Sequence, residues 1–397
     1  MIRLIVCGLV LLGLTACGGS GSGKRANQEE KGVSKGFDFN ARVTYAKGFS
    51  IARRENYKEI TVYNPWKNDD VLRKYALIPR GEDVPEGLDP KITVVKVPVK
   101  TVAIFSNTQI GPLLKLGLED KLVGMTRAGK VYDKGLLERV EKGDIAQLGG
   151  AHNKNINVEK IVELDPELIL LSAFNEVKAG ETRLDEIGFK LAYALNWMEA
   201  TPLGRAEWMK FIAAFFNKGA EADSIFNRIE DNYNQLRQIA RNVKTKPTVL
   251  LGWSYRGTWY MPGGQNYMVS YLRDAGANYF LFDDDTRGNI PMSVETVLDQ
   301  CMHADLWIYP GICKNMDDVE NGGEVFTQFD AYRKGEVYNI YKRMTSQGGS
   351  DWWESGCVSP DVVLKDFIKI LHPELLPQDT TYFLSKLKWA DKAIQIH

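Results

Sequence analysis

Two hydrophobic patterns alternate along most of the chain. Short continuous apolar runs occur at residues 101–105, 168–171 and 248–252, and such runs are typical of strands buried on both faces of a sheet. Between them, residues 113–118 and 157–164 carry apolar side chains at the three- and four-residue spacing of a helix with one packed face. This alternation predicts an α/β fold with parallel sheets.

The second half of the chain repeats the order of the first. Residues 157–171 and 293–311 each read as a polar cap, Val, Glu, a helix, an acidic residue, Leu and an apolar strand. We therefore predict two lobes of similar design. Residues 59–63 and 92–97 show the alternation of a half-buried strand, and we expect the segment 37–96 to add edge strands to the first lobe.

An amphipathic region separates the two halves. Apolar residues from Trp208 to Phe216 mark one helix, and a second set from Ile225 to Ala240 marks another. A helix over residues 220–242 would be about 34 Å long at about 1.5 Å per residue, enough to cross a small domain. The sequence therefore predicts an N-terminal lobe over residues 37–218, a linker helix over residues 219–243, and a C-terminal lobe with a tail over residues 244–397.

The first residues resemble a bacterial lipoprotein signal. After Arg3, residues 4–14 are apolar but too short to span a bilayer, and Cys17 follows shortly afterwards. In that class of signal the cut falls before the cysteine, whose thiol carries a lipid; the alternative is an ordinary secretory signal with an incidental cysteine. We predict a signal peptide over residues 1–16 and, from its Gly, Ser and charge, a flexible tether over residues 17–36. The expected location is periplasmic, with a lipid anchor in a membrane.

Composition and charge disfavour several classes of function. The 397 residues include 50 basic and 51 acidic side chains, so no global positive field exists to hold a nucleic-acid backbone. The four histidines are scattered, which disfavours a His-built metal site, and we expect no resident cofactor. The mature body keeps three cysteines, which are compatible with one disulfide or with none. They are Cys301, Cys313 and Cys357.

Sequence signatures of catalysis are absent. Asp283, Asp284 and Asp285 form the densest carboxylate run, but a run of this kind in a turn is typical of a solvated loop. The sequence contains no GxSxG, P-loop or HExxH motif. We therefore expect a binding protein, with a hydrolytic enzyme and a structural lipoprotein as less favoured alternatives.

Polar and aromatic residues follow the predicted strands. In a parallel α/β sheet, ligands meet the loops at the carboxyl ends of the strands. Aromatic rings beside guanidinium groups suit a bulky, partly apolar, anionic ligand, although packing inside a lobe explains Trp253, Trp259 and Trp352 equally well. In the first half these loops offer Ser106, Asn107, Thr108, Gln109, Arg127, His152, Asn153 and Phe174. In the second half they offer Trp253, Tyr255, Arg256, Trp259, Trp352 and Trp353.

The order of several motifs carries a family resemblance. VPVKTVAIF begins at Val97 and runs into SNTQ; NVEKIVELDPELILLS, SVETVLDQ and SDWWESGCVSPDVV begin at residues 157, 293 and 350. In this order, over residues 97–376, the chain resembles the substrate-binding proteins of bacterial ABC importers for iron complexes and cobalamin. The resemblance implies two Rossmann-like lobes joined by a single long α-helix, a ligand cleft between the lobes, and a monomer that delivers its ligand to a permease dimer with its ATPase.

The resemblance also implies a role for two glutamates. Glu159 and Glu295 stand in the first turn of a predicted helix at matching positions of the two halves, where the helix dipole alone favours a carboxylate. In the cobalamin-binding members, the matching glutamates contact basic residues of the two permease subunits. We therefore expect Glu159 and Glu295 to dock on a permease.

The sequence constrains the identity of the ligand less than it constrains the fold. Cobalamin-binding members carry a Trp shortly before each docking glutamate, whereas residues 150–155 and 289–291 contain none. Together with the arginines, this favours an iron chelate, a ferric siderophore, with cobalamin and haem as alternatives. Haem iron would require an axial ligand from the protein, and His152 and Tyr255 are the candidates for this role.

Overall fold

The computed structural model describes residues 42–67, 70–150, 155–172 and 179–390. The predicted signal peptide, the predicted tether and Cys17 lie outside these residues. Within them, no helix combines the length and the apolar character that crossing a membrane requires.

Strands and helices alternate along the chain, as the hydrophobic pattern predicts. The strands are β1 Phe49–Arg53, β2 Lys58–Tyr63, β3 Val71–Pro79, β4 Thr93–Val97, β5 Val102–Ile104, β6 Leu122–Thr126, β7 Ala146–Gly149, β8 Leu168–Leu171, β9 Leu191–Tyr193, β10 Val249–Leu251, β11 Ser254–Tyr255, β12 Thr258–Pro262, β13 Asn289–Ser293, β14 Leu306–Ile308, β15 Val337–Asn339 and β16 Ser385–Lys386. The helices are α1 Ile110–Lys115, α2 Lys134–Glu141, α3 Val158–Leu164, α4 Ala179–Ile187, α5 Pro202–Phe215, α6 Gly219–Ala240, α7 Tyr267–Asp274, α8 Val294–Cys301, α9 Met316–Asn321, α10 Asp330–Arg333 and α11 Pro360–Leu371.

Each half of the chain contains a sheet with parallel strands. In the first half, five parallel strands lie in the order β7-β6-β5-β8-β9, and the central strand β5 is buried. In the second half, β10, β14 and β15 run parallel and β16 pairs antiparallel at the edge. A small antiparallel sheet, β11-β12-β13, accompanies them. The predicted α/β fold class is confirmed.

The segment before β5 differs from the prediction. Strands β1 to β4 form a separate four-stranded sheet and add no edge strand to the five-stranded sheet. Phe49 and Tyr75 of this separate sheet pack against aromatic rings of α5; for example, the ring centroids of Phe49 and Trp208 lie 4.7 Å apart. The sheet therefore gains its apolar contacts by covering a helix, which a strand pattern alone does not indicate.

Helix α5 is buried along its whole length. All fourteen of its residues are buried, including the charged residues Arg205, Glu207 and Lys210. The side chain of Thr201 accepts the Gly204 N–H at 3.1 Å, and Pro202 occupies the first turn, where a missing N–H costs nothing. Helix α6 follows with 22 residues and a length of about 33 Å. The predicted helices over these stretches are confirmed, whereas the boundaries at residues 218 and 243 stay predictions.

Two buried carboxylates hold the chain before β1. Glu207 accepts the backbone N–H groups of Thr44, Tyr45 and Ala46 at 2.7–3.1 Å. Glu199 accepts those of Lys47 and Gly48 at 2.9–3.1 Å. Successive N–H groups that converge on one anion compensate much of its lost hydration.

A lysine completes this ionic network. Lys210 Nζ lies 3.1 Å from Glu207 Oε1 and 2.9 Å from Asp223 Oδ1 on α6, and it also donates to the carbonyl of Arg42 at 2.7 Å. Because Glu207 and Lys210 are buried and paired, removing either partner leaves the charge of the other less well compensated in the interior: Lys210 would keep Asp223, and Glu207 would keep its backbone donors.

The three cysteines of the predicted mature body are buried and free. Of the two alternatives that the sequence left open, the structure therefore has no disulfide among them. In the ranges that the structure describes, no group of three or more His, Cys, Asp or Glu side chains could hold a metal ion.

Replacing Glu207 by Ala should strongly destabilise the fold. The change removes the acceptor of three backbone N–H groups and leaves Lys210 with one carboxylate fewer, so we expect a loss of about 3–5 kcal/mol in the free energy of unfolding. Urea denaturation followed by circular dichroism measures it. Glu138→Ala on the exposed side of α2 is the control and should cost under about 0.5 kcal/mol; equal losses in the two variants would contradict the role of Glu207.

Candidate functional site

The loop after β5 is held by its own side chains. Gln109 Oε1 accepts the N–H groups of Phe105 and Ser106 at 3.1 and 3.2 Å, and Ser106 Oγ accepts the Thr108 N–H at 3.3 Å. Gln109 is buried, whereas Ser106, Asn107 and Thr108 are half-buried. The structure therefore gives Gln109 a role in shaping the loop and leaves its three predecessors partly accessible at a strand end.

The loops after β5 and β6 meet at the same edge of the five-stranded sheet. Asn107 Nδ2 donates to the carbonyl of Lys130 at 2.8 Å. Arg127 follows β6 directly, is exposed, and has a backbone φ of 55°, a conformation that non-glycine residues seldom adopt. The predicted residues Asn107 and Arg127 are thus on neighbouring loops, as expected for parallel strands. The other predicted residues of this half, His152, Asn153 and Phe174, lie outside the described residues.

Trp253 lines a pocket at the carboxyl ends of β10 and β14. The pocket has a volume of about 460 Å³, and the exposed side chain of Ile312 and the charged residues Lys314 and Asp318 also line it. The indole ring stacks on Trp307 with 5.5 Å between centroids. A Cβ at Gly322 would come within 2.5 Å of the same ring, so only glycine fits there without a shift. Trp253 is therefore fixed in orientation and remains half-buried beside open space.

Two of the predicted tryptophans belong to the interior. Trp259 has no exposed surface, its Nε1 donates to the carbonyl of Leu251 at 2.8 Å, and its ring packs on Trp307 and Phe329. Trp352 is only 3% exposed. Both rings therefore pack in the interior, which is one of the two alternatives that the sequence left open for them, and ligand contact by either residue stays a prediction. Trp353 is half-buried.

Tyr255 and Arg256 form the tip of a β-hairpin. Arg256 and Gly257 connect β11 to β12 with φ of 52° and 80°, which is typical of a two-residue type I′ turn. Tyr255 is 63% exposed, and the guanidinium of Arg256 lies 5.2 Å from the centre of its ring. The pair is therefore accessible but projects on a hairpin instead of following a parallel strand.

A cluster around Arg205 was missed by the sequence analysis. Its guanidinium lies 4.1 Å from the ring centre of Tyr267, Nη2 donates to Cys357 Sγ at 3.2 Å, and Nε has no hydrogen-bond partner. No carboxylate of the described residues lies within 4.0 Å of this buried cation. Burial raises the pKa of Cys357 and of Tyr267, so both stay neutral and supply no counter-charge.

Two tyrosines at strand ends lie beside this cluster. Tyr309 directly follows β14 with a backbone φ of 62°, and its hydroxyl is 3.5 Å from that of Tyr341, which comes soon after β15. Tyr309 also interacts electrostatically with Tyr267. Backbone strain of about 1–3 kcal/mol at a non-glycine residue commonly marks a functional position. The sequence signal was present, since Tyr309 follows a predicted strand, but an isolated Tyr does not stand out in a pattern.

Glu354 joins the two halves of the chain. Its carboxylate is buried and accepts the N–H groups of Tyr132 at 2.6 Å and Asp133 at 3.1 Å, across 222 and 221 positions of sequence. A Cβ at Gly111 would lie 2.3 Å from the Glu354 carbonyl oxygen, so the two backbones are in close approach. Arg343 adds a contact, 5.0 Å above the ring of Tyr132. The loops of the second half therefore rest directly on those of the first.

Glu159 and Glu295 occupy matching positions, as predicted. Each is the second residue of its helix, behind the caps Asn157 and Ser293, which accept N–H groups of the first turn at 2.9 and 3.1 Å. Both glutamates are exposed, and Oε1 of Glu159 lies 3.8 Å from Nη2 of Arg183. Backbone and Ser293 hydrogen bonds lower the pKa of Glu295, so it is charged at neutral pH.

Comparison with known proteins identifies a matching family model and a relative that matches most of the chain. A family model described as periplasmic binding protein matches residues 102–344. An uncharacterised lipoprotein of Methanocaldococcus jannaschii is 26% identical over 364 residues, which cover 87% of this chain and 85% of that protein.

Solved structures share the fold at low sequence identity. Helicobacter pylori CeuE with Ni(II) bound has a TM-score of 0.55 and 15% identity, over 72% of this chain and 88% of CeuE. The periplasmic vitamin B12 binding protein BtuF of Vibrio cholerae has a TM-score of 0.50 and 14% identity, over 71% of this chain and 99% of BtuF. At these identities the similarity establishes the fold alone.

Protonation of Glu354 should make stability depend on pH. Burial raises the pKa of Glu354 to about 7, against the lowering effect of its two N–H donors, and Asp351 and Asp133 raise it further. The folded state thus holds this proton more tightly than the unfolded state, whose Glu pKa is about 4.3. Its contribution to stability is full below about pH 4 and is lost as the pH rises through about 7.

A Glu354→Gln variant should lack this dependence. Between pH 4 and pH 8 (roughly), the free energy of unfolding of the wild type should fall relative to the variant by on the order of 3 kcal/mol. Urea titrations at several pH values measure the difference, with Glu221→Gln as an exposed control. Parallel pH profiles for the wild type and Glu354→Gln would contradict the prediction.

Proposed function

The chain belongs to the periplasmic binding protein family, and we propose that it is the substrate-binding protein of an ABC importer that captures an anionic iron chelate, a ferric siderophore. It would hold the chelate at the loops where its two parallel sheets end. Family membership places it among binding proteins and not among enzymes.

The proposal that the ligand is anionic rests on Arg205. An Arg side chain keeps its charge at every physiological pH, and a buried charge without a partner costs several kcal/mol. The groups that interact with Arg205 are the neutral side chains of Cys357, Tyr267 and Tyr271, and Nε stays unsatisfied. A negatively charged oxygen of a ligand would provide both the counter-charge and the missing acceptor.

Neighbouring groups suit the remainder of a chelate. The hydroxyls of Tyr309 and Tyr341 can donate to catecholate or carboxylate oxygens, and the exposed Arg127 can form a bidentate pair with such oxygens. Trp253 offers an aromatic face beside a pocket of about 460 Å³. Ferric siderophores combine negative oxygens with apolar rings, so they match this set better than cobalamin does. Haem, with Tyr255 or His152 as axial ligand, and cobalamin are the alternatives, because a haem binding protein and a vitamin B12 binding protein of Vibrio cholerae both share the fold.

Delivery to a membrane permease completes the proposal. Glu159 and Glu295 are exposed on corresponding helices of the two halves and would contact basic residues of the two permease subunits. A lipid on Cys17 would keep the protein in the periplasm beside that membrane, in line with a relative that is named a lipoprotein.

An iron chelate should stabilise the protein. At a concentration about 100 times Kd, it should add about 2.7 kcal/mol to the free energy of unfolding. Thermal denaturation is measured with a ferric tris-catecholate, a neutral ferric trihydroxamate, cobalamin and haem. The anionic ferric complex should give the largest shift. No shift with any of the four compounds would overturn the proposed function.

Arg205→Met separates ligand recognition from structure. Because it removes an unpaired buried charge, the ligand-free variant should be at least as stable as the wild type, while affinity for the ferric tris-catecholate falls tenfold or more (about 1.4 kcal/mol). Arg228→Met, an exposed arginine on α6, is the matched control and should change neither quantity. Unaltered chelate affinity in Arg205→Met, or a loss of stability without ligand, would assign Arg205 a structural role.

Removing the side chains of Glu159 and Glu295 should affect delivery of the chelate to the permease and not its capture. Exposed ion pairs are worth about 0.2–1 kcal/mol each, so Glu159→Ala with Glu295→Ala should weaken binding to the permease severalfold and leave the chelate-induced stabilisation unchanged. Uptake of the radiolabelled iron chelate by cells and the thermal shift are measured in parallel. Glu138→Ala with Glu324→Ala, one exposed glutamate from each half, is the control. Normal uptake in the first double variant would contradict the docking role.

A further inference from the structure

A second pocket lies away from the strand ends just described. Its volume is about 390 Å³, and it is lined by residues of the C-terminal parts of α6 and α7 and of the segment before β10. Lys246 stands three residues before β10 begins, so the pocket is near the amino end of that strand. The proposed chelate site is at the opposite, carboxyl ends of the strands. We call this cavity the basic pocket, after its lining residues Arg237, Arg241, Lys246 and Arg273.

The positive charges of the basic pocket outnumber the negative charges beside them. Asp274 interacts electrostatically with Arg237 and Arg273. In the described part of the chain, none of the four basic side chains has a carboxylate within 4.0 Å; Arg273 donates instead to the carbonyls of Gly264 and Phe282 at 3.2 and 3.0 Å. The pocket contains one acidic residue, Asp274, whose carboxylate accepts the Tyr233 hydroxyl at 2.6 Å. Four cations therefore face one engaged carboxylate.

A structural explanation accounts for part of this arrangement. Arg237 and Arg273 lie in the last turns of α6 and α7, where the helix dipole favours a cation. Lys246 lies beyond the end of α6, and the dipole effect falls off within the last turn, so it does not explain that residue. The stretch 237–246 holds Arg237, Arg241, Lys244 and Lys246 without an acidic residue, in a chain whose net charge is only −1.

We propose that the basic pocket binds a phosphate group. Arginine forks pair bidentately with phosphate oxygens, and a lysine acts as an additional point charge. The amide of Gln238, which also lines the pocket, can donate a further hydrogen bond. The phosphate could belong to a free phosphate compound or to the headgroup of an anionic phospholipid, and both present the same oxygens to the pocket. This site is independent of the proposed chelate site.

Calorimetric titration of the mature protein with inorganic phosphate tests the proposal. Sedimentation with phosphatidylglycerol vesicles, and with phosphatidylcholine vesicles for comparison, forms the second arm. The test variant is Arg241→Gln with Lys246→Gln. The control is Lys134→Gln with Lys142→Gln, which removes the same charge from exposed positions of the first half. We expect the test variant to lose at least tenfold in affinity and the control to bind as the wild type does.

Each outcome bears on the proposal. Binding of inorganic phosphate that the test variant loses identifies a free phosphate compound as the ligand type. Binding only to phosphatidylglycerol vesicles, with the same loss, identifies a lipid headgroup. If the wild type binds neither probe, or if the control variant loses as much affinity as the test variant, the proposal is overturned. Because neither probe is an iron chelate, these results do not depend on the proposed function.

Discussion

Complete burial of helix α5 is the constraint on which much of the structure depends. The helix is covered on one side by the sheet β1 to β4, through the contacts of Phe49 and Tyr75 with its aromatic residues, and on another by α6. A helix that is enclosed on all sides must pair or neutralise every polar group it carries. Glu207 and Lys210 meet this requirement inside the protein, whereas Arg205 does not.

That difference relates the fold to the proposed function. A charge that the protein leaves uncompensated lowers stability, and it becomes favourable only when something outside the chain supplies the opposite charge. Arg205 lies beside Tyr267, near the tyrosines that follow β14 and β15, so the cost is incurred next to strand ends where α/β proteins bind ligands. The link through Glu354 brings the loops of the first half to the same region.

Local pattern was sufficient for most of the secondary structure. The buried strands β5, β8 and β10, the caps Asn157 and Ser293, and the long helix α6 all follow from hydrophobic spacing and capping residues. The separate sheet β1 to β4 was not predicted, because alternation shows that a strand is half-buried but does not show which element covers it.

The candidate site was predicted less completely, for a related reason. Trp253 and Trp259 both follow β10, and only the packing around them distinguishes a ring beside a pocket from a ring in the core. Arg205 was missed because arginine is rarely buried. The link that Glu354 makes to the first half was not predicted because its partners are more than 220 positions away.

The anchoring of residues 44–48 has a mechanical consequence. Five consecutive backbone amides of this stretch are held by two side chains that belong to, or immediately precede, the innermost helix. A pull applied to the chain at Arg42 would therefore load these amide–carboxylate bonds before it reached any sheet. Traction from upstream would be resisted at the centre of the protein and not at a peripheral strand that could peel away.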